Sequence, residues 1–544
     1  MKIFAIVLFA VGCLWWPSTA SSQTSLNASP EDDVYRTIDV FVAHKLVRNT
    51  IVGQRPYSRQ EVARLLRESR KALEHRKEDP SYFYLASLLS HHERFYRHEL
   101  EEEQRGVEIN AFSELDFSVL YQSSEPRIIP DNGEGEIDAV VTSFDHDDQG
   151  KTLVNGGNAL VSSKHQAFFS PYLAFDFEPR LVFPMSRQVD QSPSVTVHRL
   201  YAKTGWRNIE VETGRDNILW GQGEYGGLML SAHARPLDMV KVTNPHPWQA
   251  PWMLKYLGPM RWTFFMANLG PEQVHSYPYF YGLKWSLQPS RYFEMGLSHT
   301  IIMGGDAAPS VTWWEPIAEI FPLHKWGGRN IGANDIANNA WGFLDFRVTI
   351  PPLRSLVLSY DGYIEDSIVR ALRLPDNILN QMSFVAGTYL PRLDTTGKWG
   401  LRLEYHHMAP LSYRHGNWLS GYTLNRRVIG DPLGPGADAV TSTLLWRPVP
   451  RWQGRLGIAY EDFDSSQYYT QTNASGGGDR ILVATTGIHE RRYRATLGGE
   501  WWFKKNLRLH GEAGYERIQN GNFESGHDIN NGLIEAGLSL AFSP

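Results

Sequence analysis

From about Val107 to its end the chain alternates apolar and polar side chains with period two, and no helical period returns. About 440 residues with that period fold into antiparallel sheet, and so many strands must close or cover their edges. Within 399–405, Trp399, Leu401, Leu403 and Tyr405 alternate with Gly400, Arg402 and Glu404, which divides the strand into an apolar and a charged face. The division recurs where Leu173, Phe175 and Phe177 alternate with Ala174, Asp176 and Glu178, and where Leu456, Ile458 and Tyr460 alternate with Arg455, Gly457 and Glu461. A soluble sandwich alternates too, but it turns its apolar face inward. Scale separates the two. With Gly/Asp/Asn-rich loops as long as 127–157, the stretch fits roughly sixteen to eighteen membrane strands at about 24 residues per strand and connection.

Composition agrees. Aromatics make up 12% of the 544 residues, with 18 Trp and 25 Tyr, while the mean hydropathy is −0.36, too polar for a bundle of membrane helices. In a barrel only alternate residues face lipid, so the average stays hydrophilic while Trp and Tyr gather at the interfaces. A formal charge of −6 leaves no basic field for nucleic acid, and that class of partner is set aside. The chain ends with Ile534, Ala536, Leu538, Leu540 and Phe542 on one face, a pattern resembling the closing-strand signal read by the outer-membrane barrel insertion machinery. Gly537, Leu540 and Phe542 carry that signal, from which Ser543-Pro544 departs.

Three regions follow. Residues 1–20 read as a signal peptide: Lys2, an apolar run over 3–16, then Pro17 and a small-residue site ending at Ala20. The sole cysteine, Cys13, lies in that run, so cleavage leaves no thiol; a lipoprotein acceptor is the rival reading. Residues 21–105 are expected to form a periplasmic helical bundle. A first helix starts at Ser29-Pro30, with Val34, Ile38, Phe41, Val42 and Leu46 at helical spacing, and Ser58 with Glu61 forms a capping box before Val62, Leu65, Leu66 and Leu73. A third runs from Pro80 through Phe83, Leu85, Leu88 and Phe95 to the acidic 101–103. Residues 106–544 are expected to form the barrel, whose lumen receives Arg402, Glu404, His406, Arg455, Glu461, Arg494, Glu500, Arg508, His510 and Glu512; such mixed charges can pair and close it, or solvate an open lumen as in a wide porin.

Several motifs fall short of chemistry. Gly221-Gln222-Gly223-Glu224-Tyr225-Gly226 is a literal GxGxxG, but no helix follows it and no βαβ unit surrounds it, so the glycines mark a bend or close approach. His91-His92-Glu93 with His98 lacks the second histidine of a zinc-protease helix, where Tyr96 stands, and reads as a solvated helix face. Asp145, Asp147 and Gly150 begin a calcium-like loop that Gln149 and Gly156 interrupt, leaving an acidic surface loop. No catalytic residue, metal or cofactor is implied. The aromatic runs at Trp248 and Trp252, at Tyr277, Tyr279 and Tyr281, and at Trp313 and Trp314 are candidates for stacking on sugar rings, with interface anchoring as the alternative. Trp313 and Trp314 are the foremost glycan-binding candidates, in a loop expected to face outside.

A further set of runs stands out: Asp33-Val34-Tyr35-Arg36-Thr37-Ile38-Asp39, Gly53-Gln54-Arg55-Pro56-Tyr57-Ser58-Arg59, Gly214-Arg215, Trp220-Gly221-Gln222-Gly223, Ala234-Arg235-Pro236-Leu237-Asp238, Asn334-Asp335 and Gly430-Asp431-Pro432-Leu433-Gly434-Pro435. With these runs the sequence resembles the Wzi family of capsule assembly proteins. The likeness implies an outer-membrane barrel of about eighteen strands with a periplasmic helical bundle, a lectin-like part in attaching exported capsular or exopolysaccharide to the cell surface, and no catalytic residues. An outer-membrane porin or selective channel is the alternative function.

Overall fold

The computed structural model describes residues 24–542, except for the segments 102–105, 125–126, 130–136, 186–191, 309–310, 312–314, 317–337, 366–381, 415–417, 473–477 and 485–486 and the single positions 138, 145, 152, 170, 225, 411 and 466. The expected signal peptide with Cys13, and Ser543-Pro544, lie outside the described residues.

Eighteen antiparallel strands form one closed barrel. In chain order the first six are β1 (Val107–Ser123), β2 (Gly156–Phe169), β3 (Leu173–Pro184), β4 (Ser194–Trp206), β5 (Ile209–Asp216) and β6 (Leu237–Thr243). Then come β7 (Pro259–Asn268), β8 (Tyr279–Ser290), β9 (Phe293–Met303), β10 (Asn338–Ile350), β11 (Leu356–Glu365) and β12 (Met382–Leu390). The last six are β13 (Trp399–Met408), β14 (Ala437–Val449), β15 (Trp452–Phe463), β16 (Glu490–Lys504), β17 (Leu507–Gln519) and β18 (Ile529–Ala541). β18 pairs with β1 in the register Leu115↔Leu540 to Ser123↔Gly532, which leaves no open edge. The period-two pattern is the cause of the wall: on β3, Leu173, Phe175 and Phe177 point outward while Ala174, Asp176 and Glu178 are buried inside.

The two ends differ. Short connections such as 207–208, 291–292, 450–451 and 505–506 lie at one end, and the long ones, including 124–155, 217–236, 304–337 and 409–436, at the other. In outer-membrane barrels the short turns face the periplasm. At that end sit the helices α1 (Val34–Ala43), α2 (Arg59–Glu74), α3 (Tyr82–Glu93) and α4 (Arg97–Glu101). Their apolar stripes meet in one core that includes Phe41, Leu65, Leu66, Leu88 and Tyr96. Contacts to the barrel mouth hold them there: Ser355 Oγ donates to the Ala43 carbonyl at 2.8 Å, Tyr84 Oη to that of Arg447 at 3.1 Å, and Glu61 meets His246 at 2.6 Å.

Details of the helices depart from expectation. α1 begins at Val34 rather than at Ser29-Pro30, and the Asp32 carboxylate accepts from the Val34 amide at 3.0 Å. Ser58 caps α2, accepting from Glu61 N at 3.2 Å, but the Glu61 carboxylate turns away to Arg64 and His246, so only half of the box forms. The third helix stops at Glu93, where the Phe95 and Tyr96 amides both turn to the His92 carbonyl, and the Arg59 guanidinium of α2 donates to the Phe95 carbonyl in the turn that follows. Phe83, placed on the buried stripe from sequence, is 83% exposed. His91 and His92 are not a solvated face: both are buried, His92 Nε2 lies 2.7 Å from Thr37 Oγ1, and the His91 ring packs edge-on against Trp502 of the barrel. The barrel mouth covers the face that an isolated helix would present to water.

Candidate functional site

Several of the runs that carried the family resemblance, 53–55, 220–223 and 430–431, converge inside the barrel, while Asn334-Asp335 lie outside the described residues. The segment after α1 runs into the lumen, where Val52 and Gly53 donate their amides to Glu294 of β9 at 2.9 and 2.8 Å. Gln54–Arg55 then pairs antiparallel with Leu219–Trp220 of the long β5–β6 connection. That connection bends inward as a hairpin instead of rising outside. Trp220 N donates to Leu230 O at 3.1 Å, and at the turn Gly221, with φ +121°, stands so close to Gly227 that a Cβ would lie 2.6 Å from its Cα. The GxGxxG glycines are therefore a close-approach device, as the absence of a following helix implied. Gln222 locks the hairpin to the wall: its side-chain amide donates to Asp345 at 2.7 Å and its backbone amide to Asp361 at 3.0 Å.

Two further long connections complete a plug. From 409–436, Tyr413 and Tyr422 donate their hydroxyls to the carbonyls of Leu228 and Met229 at 2.6 and 2.8 Å, and Asp431 of the GDPLGP run holds His406 of β13 at 2.7 Å. From 124–155, Val140 N reaches Arg426 O at 2.8 Å, while Asp148 and Asp147 pair with Arg427 and Arg455 at 2.6 and 3.5 Å. The acidic stretch expected at the surface is thus turned inward, because lumen cations attract its carboxylates; Asp145 lies outside the described residues. On one side of the plug the inner wall is apolar, and Phe265, Phe280 and Ile302 join Trp220, Leu228, Met229, Trp418 and Tyr422 in one core. This part of the lumen was not legible as charged or apolar from strand alternation.

Elsewhere the interior is ionic. Lys284 and Asp345 form a pair at 2.6 Å that is fully buried, Arg199 meets Glu178 at 2.6 Å and Lys241 meets Glu212 at 2.8 Å. Each ion is satisfied by its neighbour, as a low-dielectric interior requires. Arg402, Glu404, Arg455, Glu461, Arg494, Glu500, Arg508 and Glu512 all enter such pairs. Between plug and bundle a cavity of about 500 Å³ remains, and acidic side chains, among them Asp33, Asp39, Glu114 and Glu500, outnumber basic ones in its lining. Among the described residues one group has metal-ligand geometry, Asp32, Asp33 and His92, but Asp33 is engaged by Arg447 at 3.0 Å and Asp32 by Tyr96 at 2.9 Å.

The candidate residues named from sequence do not form one site. Trp313 and Trp314 lie outside the described residues; Val311 just before them packs on the outward Tyr281, Ile301 and Met303 at the long-loop end. Trp248 and Trp252 belong to the β6–β7 connection at the opposite end, beside the helices, so they are not in an outer loop. The described aromatics at the long-loop end include Tyr277, 52% exposed with φ +60°, and the buried Trp418, whose ring meets His275 at 4.9 Å. Leu419 and Val274 are exposed beside them. On β18, Leu540 faces outward opposite Leu115 and Leu507, and Phe542 is exposed. Gly537 faces inward under His510, where a Cβ would lie 2.1 Å from Nε2.

The model of the family described as "Capsule assembly protein Wzi" matches residues 132–533. The chain belongs to the Wzi capsule assembly family. It is accordingly an outer-membrane barrel. By fold it is similar to the solved structure of Wzi from Escherichia coli, described as an outer-membrane protein involved in group 1 capsule assembly and a carbohydrate-binding β-barrel. The TM-score is 0.64 at 14% identity, over 95% of this chain and 100% of that one. Weaker fold matches include OccD3 (OpdP) of Pseudomonas aeruginosa, with TM-score 0.42 at 10% identity over 81% and 92% of the two chains. They also include trimeric OmpT of Vibrio cholerae, with TM-score 0.32 at 10% identity over 80% and 100%. No curated protein matches by sequence.

Proposed function

We propose that this barrel binds exported capsular or exopolysaccharide at its outer face and attaches it to the cell surface without covalent chemistry. One observation carries the reading: the motif runs that carried the resemblance, at 53–55, 220–223 and 430–431, build an internal plug instead of lining a path. A polymer then has the long-loop end as its meeting surface. The acid-rich lining of the remaining cavity also disfavours an acidic polymer inside the lumen. The related Escherichia coli barrel, described as carbohydrate-binding, supports the ligand class. In this reading the signal peptide is removed on export, the insertion machinery reads β18, and 21–105 works in the periplasm.

The rings offered to sugar are Trp313, Trp314 and Tyr277. A stacking aromatic contributes on the order of 1 kcal/mol, so Trp313→Ala with Trp314→Ala weakens glycan retention several-fold. The assay is surface-retained against shed polysaccharide, with a heat-shift gel to show an intact barrel. Wild-type retention by an assembled variant carrying Tyr277→Ala as well would remove these rings from the binding surface. Large steady conductance of the purified wild type in planar bilayers would favour the channel instead.

A further inference from the structure

The β6–β7 connection carries a short 3₁₀ helix, Trp252–Leu257, whose side chains point away from the protein. Trp252 is 81% exposed, Tyr256 75% and Met253 63%, with Leu254 and Leu257 exposed beside them and Lys255 the one charge of the turn. Five apolar side chains of six in a rigid turn are costly against water. The turn is held rigidly. Gln249 donates its side-chain amide to the Lys255 carbonyl at 3.0 Å, and Gly258, φ +75°, lies so close to β8 that a Cβ would stand 1.9 Å from the Gln288 carbonyl oxygen.

Its surroundings name the occupant. The turn leads directly into the outward wall of the barrel, where Trp262 of β7 stands opposite Trp285 of β8 and Met260 opposite Leu287. At the same short-turn end, Tyr172, Trp206 and Trp501 are exposed from other turns and strand ends around the circumference. Aromatic belts of this kind mark the headgroup level of a leaflet, and an apolar turn with one lysine matches a surface that is greasy below and anionic above. We propose that Trp252–Leu257 is a phospholipid-binding foot that lies in the periplasmic leaflet, with its rings and aliphatic chains at the headgroup–acyl boundary and Lys255 at the lipid phosphates. The connection that bears the foot also holds the bundle, through His246 on Glu61 at 2.6 Å. Lipid contact therefore continues into the helical domain.

The test is a single environment-sensitive label. Met253→Cys in a Cys13→Ser background is labelled with bimane and reconstituted into vesicles containing brominated phosphatidylcholine. Leu297→Cys on the outward face of β9 is the lipid-exposed standard, and Lys77→Cys between α2 and α3 is the aqueous one. The proposal expects the label at 253 to lose emission to brominated lipid as at 297 and to resist iodide. Emission that ignores brominated lipid and falls with iodide, as at 77, overturns it and leaves the face to a periplasmic protein. Should Met253→Cys fail to give a heat-shifting barrel, Tyr256→Cys in the same background gives the same two readings.

Discussion

Trp220→Ala tests whether the plug closes the barrel. The indole is 1% exposed, its ring lies 5.4 Å from that of Phe265, and it packs over Gly282 so closely that a Cβ there would sit 3.0 Å from Cη2. Truncating a buried tryptophan so packed costs about 3–5 kcal/mol. The wall, held by eighteen strands of ladder, does not depend on that ring; the seating of the hairpin does. Each 1.4 kcal/mol is about tenfold, so the ratio of unseated to seated plug rises by roughly two to three and a half orders of magnitude. In planar bilayers the wild type stays quiet and the variant shows intermittent openings, through a lumen lined by the ion pairs described above. A heat-shift gel establishes that the barrel is intact. If Trp220→Ala assembles, its hairpin becomes cleavable by added protease, and the current still stays silent, the plug is not what closes the lumen. Equal steady currents in both proteins would mean that no closure exists to lose.

The remaining predictions concern the ends of the chain. Leu540→Asp with Phe542→Asp puts two carboxylates on the lipid face of the closing strand and abolishes membrane assembly, measured as the yield of heat-shifting protein in outer membranes; normal yield would refute the outward register. Ser58→Ala lowers the stability of α2 by about 1 kcal/mol, read by hydrogen exchange of its first-turn amides. Acid weakens the bundle. Burial, then Arg392, brings His44 down to about 4; burial, then His92, brings His91 to about 2; burial, then Arg447, brings His92 to about 3. Folded values below the usual 6.5 mean that stability is complete above pH 6.5 and is lost as pH falls through the window below it. Burial alone would raise Glu61, but Arg64 and then His246 hold it at about 2, so its contribution is present above about pH 4.5 and is lost on the way down to pH 2. The midpoint for melting of the helical dichroism falls between pH 6.5 and 4.5, and His92→Gln flattens that dependence; a constant midpoint refutes the argument.

The wall was legible because its rule is local. A residue such as Leu403 or Glu404 is assigned to lipid or lumen by its immediate neighbours, and the structure agrees strand after strand. The closing strand was legible for the same reason. The plug was not, because nothing local says that a loop turns inward: Trp220, Leu228, Tyr413 and Tyr422 come from two connections about two hundred residues apart and meet only after closure. Their signal was present, though, in the glycines. Gly221 and Gly227 make sense only if two chain segments touch, and reading the GxGxxG run as close approach identified the hinge of the plug without its location.

Trp248 and Trp252 show a different limit, the side of the barrel on which a connection lies. In an up-and-down barrel that side is set by the parity of the strand before it, and alternation by itself does not number the strands. Around β5–β6 the numbering is hard to read: β5 and β6 have only eight and seven residues, and the twenty-residue excursion between them mimics another strand pair. Aromatic clusters do not supply the missing parity, since girdles and sugar-binding loops both use Trp and Tyr. What distinguishes them is which neighbours hold the rings. Trp252 is carried by a turn pinned to the end of β8 and joined to α2 through His246, so it belongs to the end where the helices sit. Tyr277 lies in a loop whose Val274 amide bonds Ser420 of the plug, so it belongs to the end where the long loops meet. Glycan retention should therefore respond to Tyr277→Ala and not to Trp252→Ala, and quenching by brominated lipid to the position of 252 and not of 277. The opposite pair of outcomes would mean that the ends of the barrel have been assigned the wrong way round.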